Sequence, residues 1–320
     1  MNWHNLINSR LLALACLIFI VIVLSACGGG GGGVDQPPPQ PPPTADPCDA
    51  TSIPDNGVCR PFAVQLDERA STPFTENGVP VTLEVVLFRP LTPGRYPTLV
   101  FHHGSTGNGS DPSLFGLTFT SKAIAQFFVE RGWMVAFPQR RGRGASDGLY
   151  DEGFKPDHSA YSCEADRTLA GADRALDDLD AAVDWLRQRA DVDTTRMLVG
   201  GSSRGGILSV AHVGRRPELY LGAINFVGGW ISEGCGDHRL VNETLFVAGA
   251  GVAVPSLWLY GANDSFYSLP YSRTHFEAYS IAGGVGDFHE FVRAPGLNGH
   301  FLLNDPLLWE TTMDEFLNQL

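Results

Sequence analysis

The feature that most constrains the fold lies at residues 197–215, where an apolar run leads through a glycine-flanked serine into a helix-like stretch. Residues 201–205 have the pattern Gly-x-Ser-x-Gly, with Ser203 at the centre. A strand that turns sharply into a helix strains its central residue, and glycines two positions before and after it leave room for neighbouring chain. The pattern therefore predicts a Ser203 hydroxyl presented above the end of a sheet.

A second Gly-x-Ser-x-Gly match is centred on Ser146, at residues 144–148. It follows an arginine-rich loop and leads into residues without helical periodicity. Because the motif has its strained geometry only between a strand and a helix, the context favours Ser203.

Strand-like and helix-like segments alternate from about residue 61 onward, without internal repeats. This alternation predicts an α/β fold, in which a mostly parallel central sheet has helices on both faces. Predicted strands lie at 81–88, 98–102, 134–138, 197–200, 223–227 and 256–260. Predicted helices lie at 121–131, 169–187, 203–215, 272–281 and 306–320. We expect one domain at 61–320, with loop insertions near 140–165 and 229–254.

The overall charge excludes nucleic acid as a partner. The 320-residue chain has a formal net charge of -13, and Lys122 and Lys155 are its only lysines. Such a surface repels phosphate backbones. The hydrophobic content of 43% excludes disorder of the whole chain.

The first residues predict export. An apolar run at 11–24 is too short for a permanent membrane span, so residues 1–26 are interpreted as a signal peptide. The sequence Leu24-Ser25-Ala26-Cys27 resembles the lipobox of bacterial lipoproteins. The resemblance implies a lipid on Cys27. It also implies a location in the bacterial cell envelope, either in the periplasm or at the outer membrane. Simple secretion is the alternative. Residues 27–47 are rich in glycine and proline and are predicted to form a tether.

Four further cysteines, Cys48, Cys59, Cys163 and Cys235, suit two disulfides in an exported protein. Three pairings are possible. The turn-rich stretch between the first two favours a small lead-in at 48–60 closed by Cys48–Cys59, which leaves Cys163–Cys235. A zinc site that uses Cys235 and His238 is the alternative, but no second pair completes it.

A serine nucleophile needs a base and an acid that orients the base. Asp264 follows an apolar strand, and His300 lies in a glycine-bearing loop near the C-terminus. Asp287 and Asp305 are alternative acids. The competing histidines are His158, His212, His238, His275 and His289. His102 and His103 are adjacent on a strand, so they point to opposite faces and cannot readily share a metal ion.

Residues 81–320 resemble the α/β-hydrolase superfamily. The resemblance is carried by four features and by their order in the chain: His103-Gly104, Gly201-x-Ser203-x-Gly205, Asp264 and His300. The similarity is greatest to dienelactone-hydrolase-like and prolyl-oligopeptidase-like serine hydrolases. Dienelactone hydrolase itself uses a cysteine, so lactone specificity does not carry over to Ser203. The chain also has no length for the propeller of prolyl oligopeptidases, which argues against peptidase activity.

The resemblance implies acyl transfer to water. Ser203 would attack a carbonyl carbon, His300 would move the proton and Asp264 would orient His300, without a metal or organic cofactor. Backbone N–H groups near Ser105 and of Arg204 would bind the oxyanion.

We therefore expect a serine hydrolase that acts on small-molecule esters. A serine peptidase of the prolyl-oligopeptidase type is the alternative, and a non-catalytic binding protein that keeps the fold is a third hypothesis. Possible substrate-cleft residues are Trp230, Phe266 and Tyr267 as apolar walls and Arg141 as a partner for a carboxylate. The sequence does not indicate the oligomeric state.

Overall fold

The structure is a computed structural model and describes residues 47–320. The predicted signal peptide at 1–26, the predicted lipid site at Cys27 and nearly all of the predicted tether at 27–47 lie outside the described residues. Within the described part, no helix is both long enough and apolar enough to cross a membrane.

The described chain begins with a small antiparallel hairpin. Its strands are β1 (Ser52–Asp55) and β2 (Val58–Pro61). Asn56 and Gly57 at the turn both have positive φ, at 49° and 80°, as a tight hairpin turn requires. The Cys48–Cys59 disulfide closes this hairpin, as the turn-rich stretch between the two cysteines predicts.

One eight-stranded sheet forms the centre of the protein, and its strand order is β10-β9-β8-β7-β5-β6-β4-β3. The six strands from β10 to β6 run parallel, whereas β4 and β3 are antiparallel to their neighbours. The prediction of a mostly parallel sheet is therefore confirmed. The strands are β3 (Val64–Glu76), β4 (Val79–Arg89), β5 (Tyr96–His102), β6 (Met134–Pro138), β7 (Val192–Ser202), β8 (Gly222–Phe226), β9 (Ser256–Gly261) and β10 (Gly286–Phe291).

Helices connect most of the parallel strands. They are α1 (Lys122–Glu130), α2 (Ala165–Leu186), α3 (Arg204–Arg215), α4 (His238–Ala248), α5 (Leu269–Ile281) and α6 (Pro306–Leu317). Short 3₁₀ helices lie at Pro112–Leu114, Pro217–Leu219 and Gly299–Asn304. Ser121 shows how a helix begins here, because its hydroxyl accepts a hydrogen bond from the backbone N–H of Ile124 and caps α1.

Two apolar clusters pack against the sheet. Leu99 and Phe101 of β5 belong to the first cluster, together with Phe127 of α1 and Trp309 of α6. Val100, between them in sequence, belongs to the second cluster, which includes the C-terminal turns of α2. Successive residues of a strand point to opposite faces of a sheet, so helices cover both faces.

The sheet also brings the predicted site residues to one edge. The strands β5, β7 and β9 are parallel, so their carboxyl ends lie at the same edge. Ser105, Ser203 and Asp264 follow these three strands, and His300 follows β10 in the 3₁₀ helix Gly299–Asn304.

The strand β3 and the helix α4 are among the elements that differ from the prediction. The strand β3 lies at the edge of the sheet, and much of it is exposed. It therefore has few apolar residues, and its sequence lacks a clear strand pattern. The helix α4 lies within the segment 229–254, which was expected to form a loop insertion over the cleft. Its apolar face is short, since its buried residues are Val241, Asn242, Leu245 and Phe246.

Candidate active site

Ser203 lies at the turn between β7 and α3 with a backbone conformation that is rare for a residue with a side chain. Its φ is 57° and its ψ is -122°. The turn is compact enough to need glycine on both sides. A Cβ atom on Gly201 would lie 2.4 Å from the backbone of Gly205, and one on Gly205 would lie 2.1 Å from the carbonyl oxygen of His102. The two glycines of the motif therefore have a steric role, as the sequence predicts.

The chain after β5 passes directly beside this serine. A Cβ atom on Gly104 would lie 3.1 Å from Ser203 Cβ, so a larger residue would crowd the nucleophile. The backbone N–H of Arg140 donates to Nε2 of His103 at 3.1 Å, and Nδ1 of the same ring donates to the carbonyl oxygen of Gly104 at 2.8 Å. Burial and the charge of Arg140 hold the pKa of His103 well below its usual range, so the ring is neutral. His103 thereby fixes the peptide group beside Ser203.

Asp264 and His300 form a hydrogen-bonded pair. The distance from His300 Nδ1 to Asp264 Oδ2 is 2.9 Å. The other carboxylate oxygen of Asp264 accepts the backbone N–H groups of Phe266 and Tyr267, at 2.8 and 3.0 Å. The Asp264 side chain is fully buried, and that of His300 is 12% exposed. This arrangement orients the imidazole and leaves its Nε2 side available for chemistry.

Close backbone packing joins the loops that carry this pair. A Cβ atom on Gly261 would lie 2.3 Å from the carbonyl oxygen of Gly299, and one on Gly299 would lie 2.2 Å from that of Ala262. The Asn298 side chain also accepts the backbone N–H of His300 at 2.9 Å. The glycines beside the acid and the base are therefore needed for the two loops to meet.

Tyr267 packs beside the imidazole. Its ring centroid lies 5.6 Å from that of His300. Burial raises the pKa of the Tyr267 phenol, and the charge of Arg204 acts in the opposite direction. Among residues 47–320, the hydrogen bonds do not include one between Ser203 Oγ and His300 Nε2. Such bonds in hydrolases are often long and tighten only in the complex with substrate.

Two backbone N–H groups remain the predicted donors of an oxyanion site. One belongs to Arg204, the first residue of α3, whose amide has no acceptor within its own helix. The other belongs to Ser105, whose peptide partner is the Gly104 carbonyl fixed by His103. The N-terminal end of α3 adds a partial positive charge at the same point.

The alternative acids and bases lie elsewhere. Asp305 binds the Arg293 guanidinium, and Asp287 lies exposed on β10. His212 does bond to a carboxylate, that of Asp180 at 3.0 Å, but its ring is fully buried against Tyr220. His238, His275 and His289 lie in α4, α5 and β10, and His158 lies in the irregular segment before α2.

The structure does not place Trp230 or Arg141 in a substrate cleft, and these two predictions are wrong. The Trp230 side chain is 1% exposed, and its indole N–H donates to the carbonyl oxygen of Thr168. The Arg141 guanidinium is bound by the Asp178 carboxylate. Both side chains are occupied by partners within the fold. Phe266, by contrast, is partly exposed and lies 4.6 Å from the His300 ring.

A buried carboxylate near the site was not predicted from the sequence. Glu152 is 3% exposed and forms ion pairs with Arg140 and Arg204. It lies in an irregular segment that also contains Asp147, Asp151 and Asp157, and no periodicity or motif distinguishes it from them.

The second disulfide, Cys163–Cys235, joins the segment before α2 to the segment before α4. This is the pairing that the sequence favours, and it leaves neither cysteine for the alternative zinc site. Within residues 47–320, no group of three or more His, Cys, Asp and Glu side chains is arranged to hold a metal ion.

Comparisons with known proteins agree with this architecture. Residues 119–230 match the family model of the prolyl oligopeptidase family. The esterase Pf2001 of Pyrococcus furiosus is similar in structure, with 16% sequence identity and a TM-score of 0.55, covering 80% of this chain and 90% of that chain. The acylaminoacyl peptidase of Pyrococcus horikoshii has 16% identity and a TM-score of 0.55, covering 80% of this chain and 41% of that chain. No curated protein sequence matches this one. At such identities, structural similarity shows the fold alone.

Proposed function

We propose that this chain, a serine hydrolase of the α/β-hydrolase fold similar to the prolyl oligopeptidase family, cleaves carboxylic esters through a covalent acyl-enzyme. The observation that carries the proposal is the buried hydrogen bond between His300 and Asp264 in the loops beside Ser203. A histidine oriented in this way is the base that a serine hydroxyl needs to become a nucleophile.

In the first step, Ser203 Oγ attacks the ester carbonyl carbon, and His300 Nε2 takes the hydroxyl proton. The imidazolium is stabilised by the Asp264 carboxylate, which is held in place by hydrogen bonds from two backbone N–H groups. The tetrahedral intermediate then expels the alcohol, which receives the proton from His300. In the second step, water attacks the acyl-enzyme with the same base, and the carboxylic acid and free Ser203 are formed.

The negative charge of each tetrahedral intermediate lies on the former carbonyl oxygen. The backbone N–H groups of Ser105 and Arg204 are the proposed donors to this oxygen. Donors that are already in place stabilise the charge without rearrangement, and this is commonly the largest part of the rate enhancement in acyl transfer. Phe266 and Tyr267, which contact the His300 ring, are the proposed apolar wall for the substrate.

Substitution of the nucleophile tests the proposal. Ser203→Ala is expected to lower kcat for a p-nitrophenyl ester by about 10⁴ to 10⁶. Ser146→Ala is the matched control, because Ser146 occupies the second Gly-x-Ser-x-Gly match but its hydroxyl donates to the Gln139 carbonyl oxygen. Unchanged ester hydrolysis by Ser203→Ala, with folding intact, would contradict the assignment. No ester hydrolysis by the folded wild-type protein would favour a non-catalytic binding protein.

Cleavage of amide bonds is the second candidate, and the match to the prolyl oligopeptidase family favours it. The two activities share every residue of the proposed mechanism and differ in the leaving group. An ester and an anilide that share one acyl group separate them. The quantity to compare is the ratio of kcat/KM for the ester to kcat/KM for the anilide. The ester proposal predicts that this ratio exceeds the ratio of the uncatalysed hydrolysis rates of the two bonds by at least about 100-fold. A preference for the anilide would instead assign a peptidase.

The proposed location is the bacterial cell envelope, with a lipid on Cys27. The two disulfides of the described chain support an oxidising compartment. Metabolic labelling with a palmitate analogue is expected to mark the wild-type protein and not Cys27→Ser. Equal labelling of both would contradict lipidation at this cysteine, and no labelling of the wild-type protein would leave simple secretion.

A further inference from the structure

The strongest unexplained feature near the site is the buried carboxylate of Glu152. It lies in the irregular segment between β6 and α2, and its side chain is 4% exposed. Oε1 accepts from Arg140 Nε at 2.5 Å, and Oε2 accepts from Arg204 Nη1 at 3.3 Å and from the Tyr150 hydroxyl at 3.1 Å. Burial raises the pKa of this carboxyl, but the charges of the two arginines outweigh it, and the pKa lies below its usual range. Glu152 is therefore an anion between two buried cations.

Arg140 connects this anion to the first candidate oxyanion donor. Its Nη1 donates to the carbonyl oxygen of His103 at 2.9 Å, and its backbone N–H donates to the ring of the same histidine, which holds the Gly104 carbonyl. The C=O and N–H of a trans peptide point in opposite directions. With the Gly104 carbonyl held on the arginine side, the N–H of Ser105 is directed to the other side.

Arg204 connects the same anion to the second candidate donor. Its Nη1 also donates to the backbone carbonyl of Glu152 at 3.1 Å, and its Nε donates to that of Trp230 at 2.9 Å. The guanidinium carbon lies 3.7 Å from the ring centroid of Tyr161 and 4.4 Å from that of Trp230. Since the side chain of Arg204 is held on every side, its backbone N–H at the start of α3 is held as well.

We infer that Glu152 is a positioning residue for the hydrolysis. It links the arginine that holds the Gly104–Ser105 peptide to the arginine that follows the nucleophile, and so fixes the spacing of the two N–H donors. The inference rests on the proposed function, because the donors matter only if an oxyanion forms. A displacement of about 1 Å in a catalytic geometry can cost about 100-fold in rate, so a link between separate loops has catalytic weight.

The test is Glu152→Gln, which keeps the shape of the side chain and removes its charge. We expect kcat for an ester to fall by about 10- to 100-fold with KM changed by less than about threefold, because the loss lies in the transition state. A trifluoromethyl ketone, which forms a tetrahedral adduct on a catalytic serine, is expected to bind more weakly by about the same factor as kcat/KM. The affinity for the product acid, which forms no adduct, is expected to stay the same.

Asp178→Asn is the matched control. Asp178 is an equally buried carboxylate, also 4% exposed, and it binds Arg141 next to Arg140 in the chain, without a bond to either donor peptide. This variant is expected to lose stability and keep kcat per folded molecule. Arg140→Lys is the second test should Glu152→Gln not fold, since lysine keeps the charge but cannot donate to Glu152 and His103 at once. It is expected to lower kcat in the same way.

A wild-type kcat in a folded Glu152→Gln or Arg140→Lys variant would overturn the inference, as would equal losses of kcat in Asp178→Asn. The failure of the proposed function has a different signature, because then the wild-type protein itself would neither hydrolyse the ester nor bind the ketone.

Discussion

Ser203, the proposed nucleophile, has a positive φ, and the residues around it explain why. Ser203 is held at φ 57° by a turn in which Gly201 and Gly205 leave no space for side chains. Strain of this kind persists only where surrounding structure determines the conformation. The motif is therefore visible in the sequence, because its glycines are needed for a local steric reason.

Residues whose partners are distant in sequence could not be predicted in this way. In the sequence, nothing distinguishes Arg141 from an arginine that lines a cleft. Its partner, Asp178, lies on α2, 37 residues further along the chain. The same holds for Glu152, whose partner Arg204 lies 52 residues away. Pairing of buried charges depends on the fold, and one-dimensional patterns do not contain it.

At the residue scale, Asp264→Asn is expected to lower kcat by about 10⁴ without unfolding the protein. An amide in place of the carboxylate can no longer fix the His300 tautomer or stabilise the imidazolium. The control is Asp305→Asn, the other candidate acid, which binds Arg293 and is expected to keep kcat within about threefold. Ester kinetics on both variants provide the measurement. A larger loss in Asp305→Asn than in Asp264→Asn would reverse the assignment.

At the element scale, the parallel strands β5, β6, β8 and β9 were predicted well because each is short, apolar and followed by loop residues. The predicted strand at 134–138 has the bounds of β6, and that at 98–102 lies within β5. Both lie in the sheet interior, where continuous apolar sequence is the expected signal. The edge strand β3 and the helix α4 lack such a signal, since solvent covers much of their surface.

The helix α5 carries a buried histidine that makes stability depend on pH. In the described part of the chain, neither ring nitrogen of His275 has a hydrogen-bond partner. Burial, with the charges of Arg239 and His238, lowers its pKa from 6.5 to about 4. The unfolded chain therefore binds a proton between about pH 6.5 and pH 4 that the folded chain does not. Stability from this residue is present in full above about pH 6.5 and is lost as the pH falls through that window.

Urea unfolding at pH 7 and pH 5 tests this effect in His275→Phe. When the pH is lowered from 7 to 5, the free energy of unfolding of the wild-type protein is expected to fall by about 2 kcal/mol more than that of the variant. The variant has no imidazole at this position to bind a proton. Tyr271 and Phe246 already contact the ring, so an aromatic replacement suits the site. The same loss in both proteins would show that other groups determine the acid sensitivity.

At the scale of the whole molecule, the sheet edge brings together residues from four separate loops. The fold class could be predicted from the sequence, and so could the positions of Ser203, Asp264 and His300 after successive strands, because these follow chain order. The contacts between the loops could not be predicted, since they depend on how closely the backbones at Gly261 and Gly299 pack.

The two disulfides restrain the molecule to different extents. Cys163–Cys235 spans 72 residues and Cys48–Cys59 spans 11. Loss of chain entropy in the unfolded state predicts that double serine substitution costs about 4 kcal/mol for the long loop and about 3 kcal/mol for the short one. Urea unfolding of the two double variants measures both values. A larger loss for the 11-residue loop would contradict this account of their stabilising effect.

Covalent labelling with a fluorophosphonate, followed by mass mapping of the modified peptide, tests the central claim most directly. A hydroxyl becomes reactive towards such a probe only when a base removes its proton and an oxyanion site accepts the charge. We predict one adduct per protein, on Ser203, that disappears in Ser203→Ala and persists in Ser146→Ala. No adduct on the folded wild-type protein, or an adduct on a residue other than Ser203, would contradict the account.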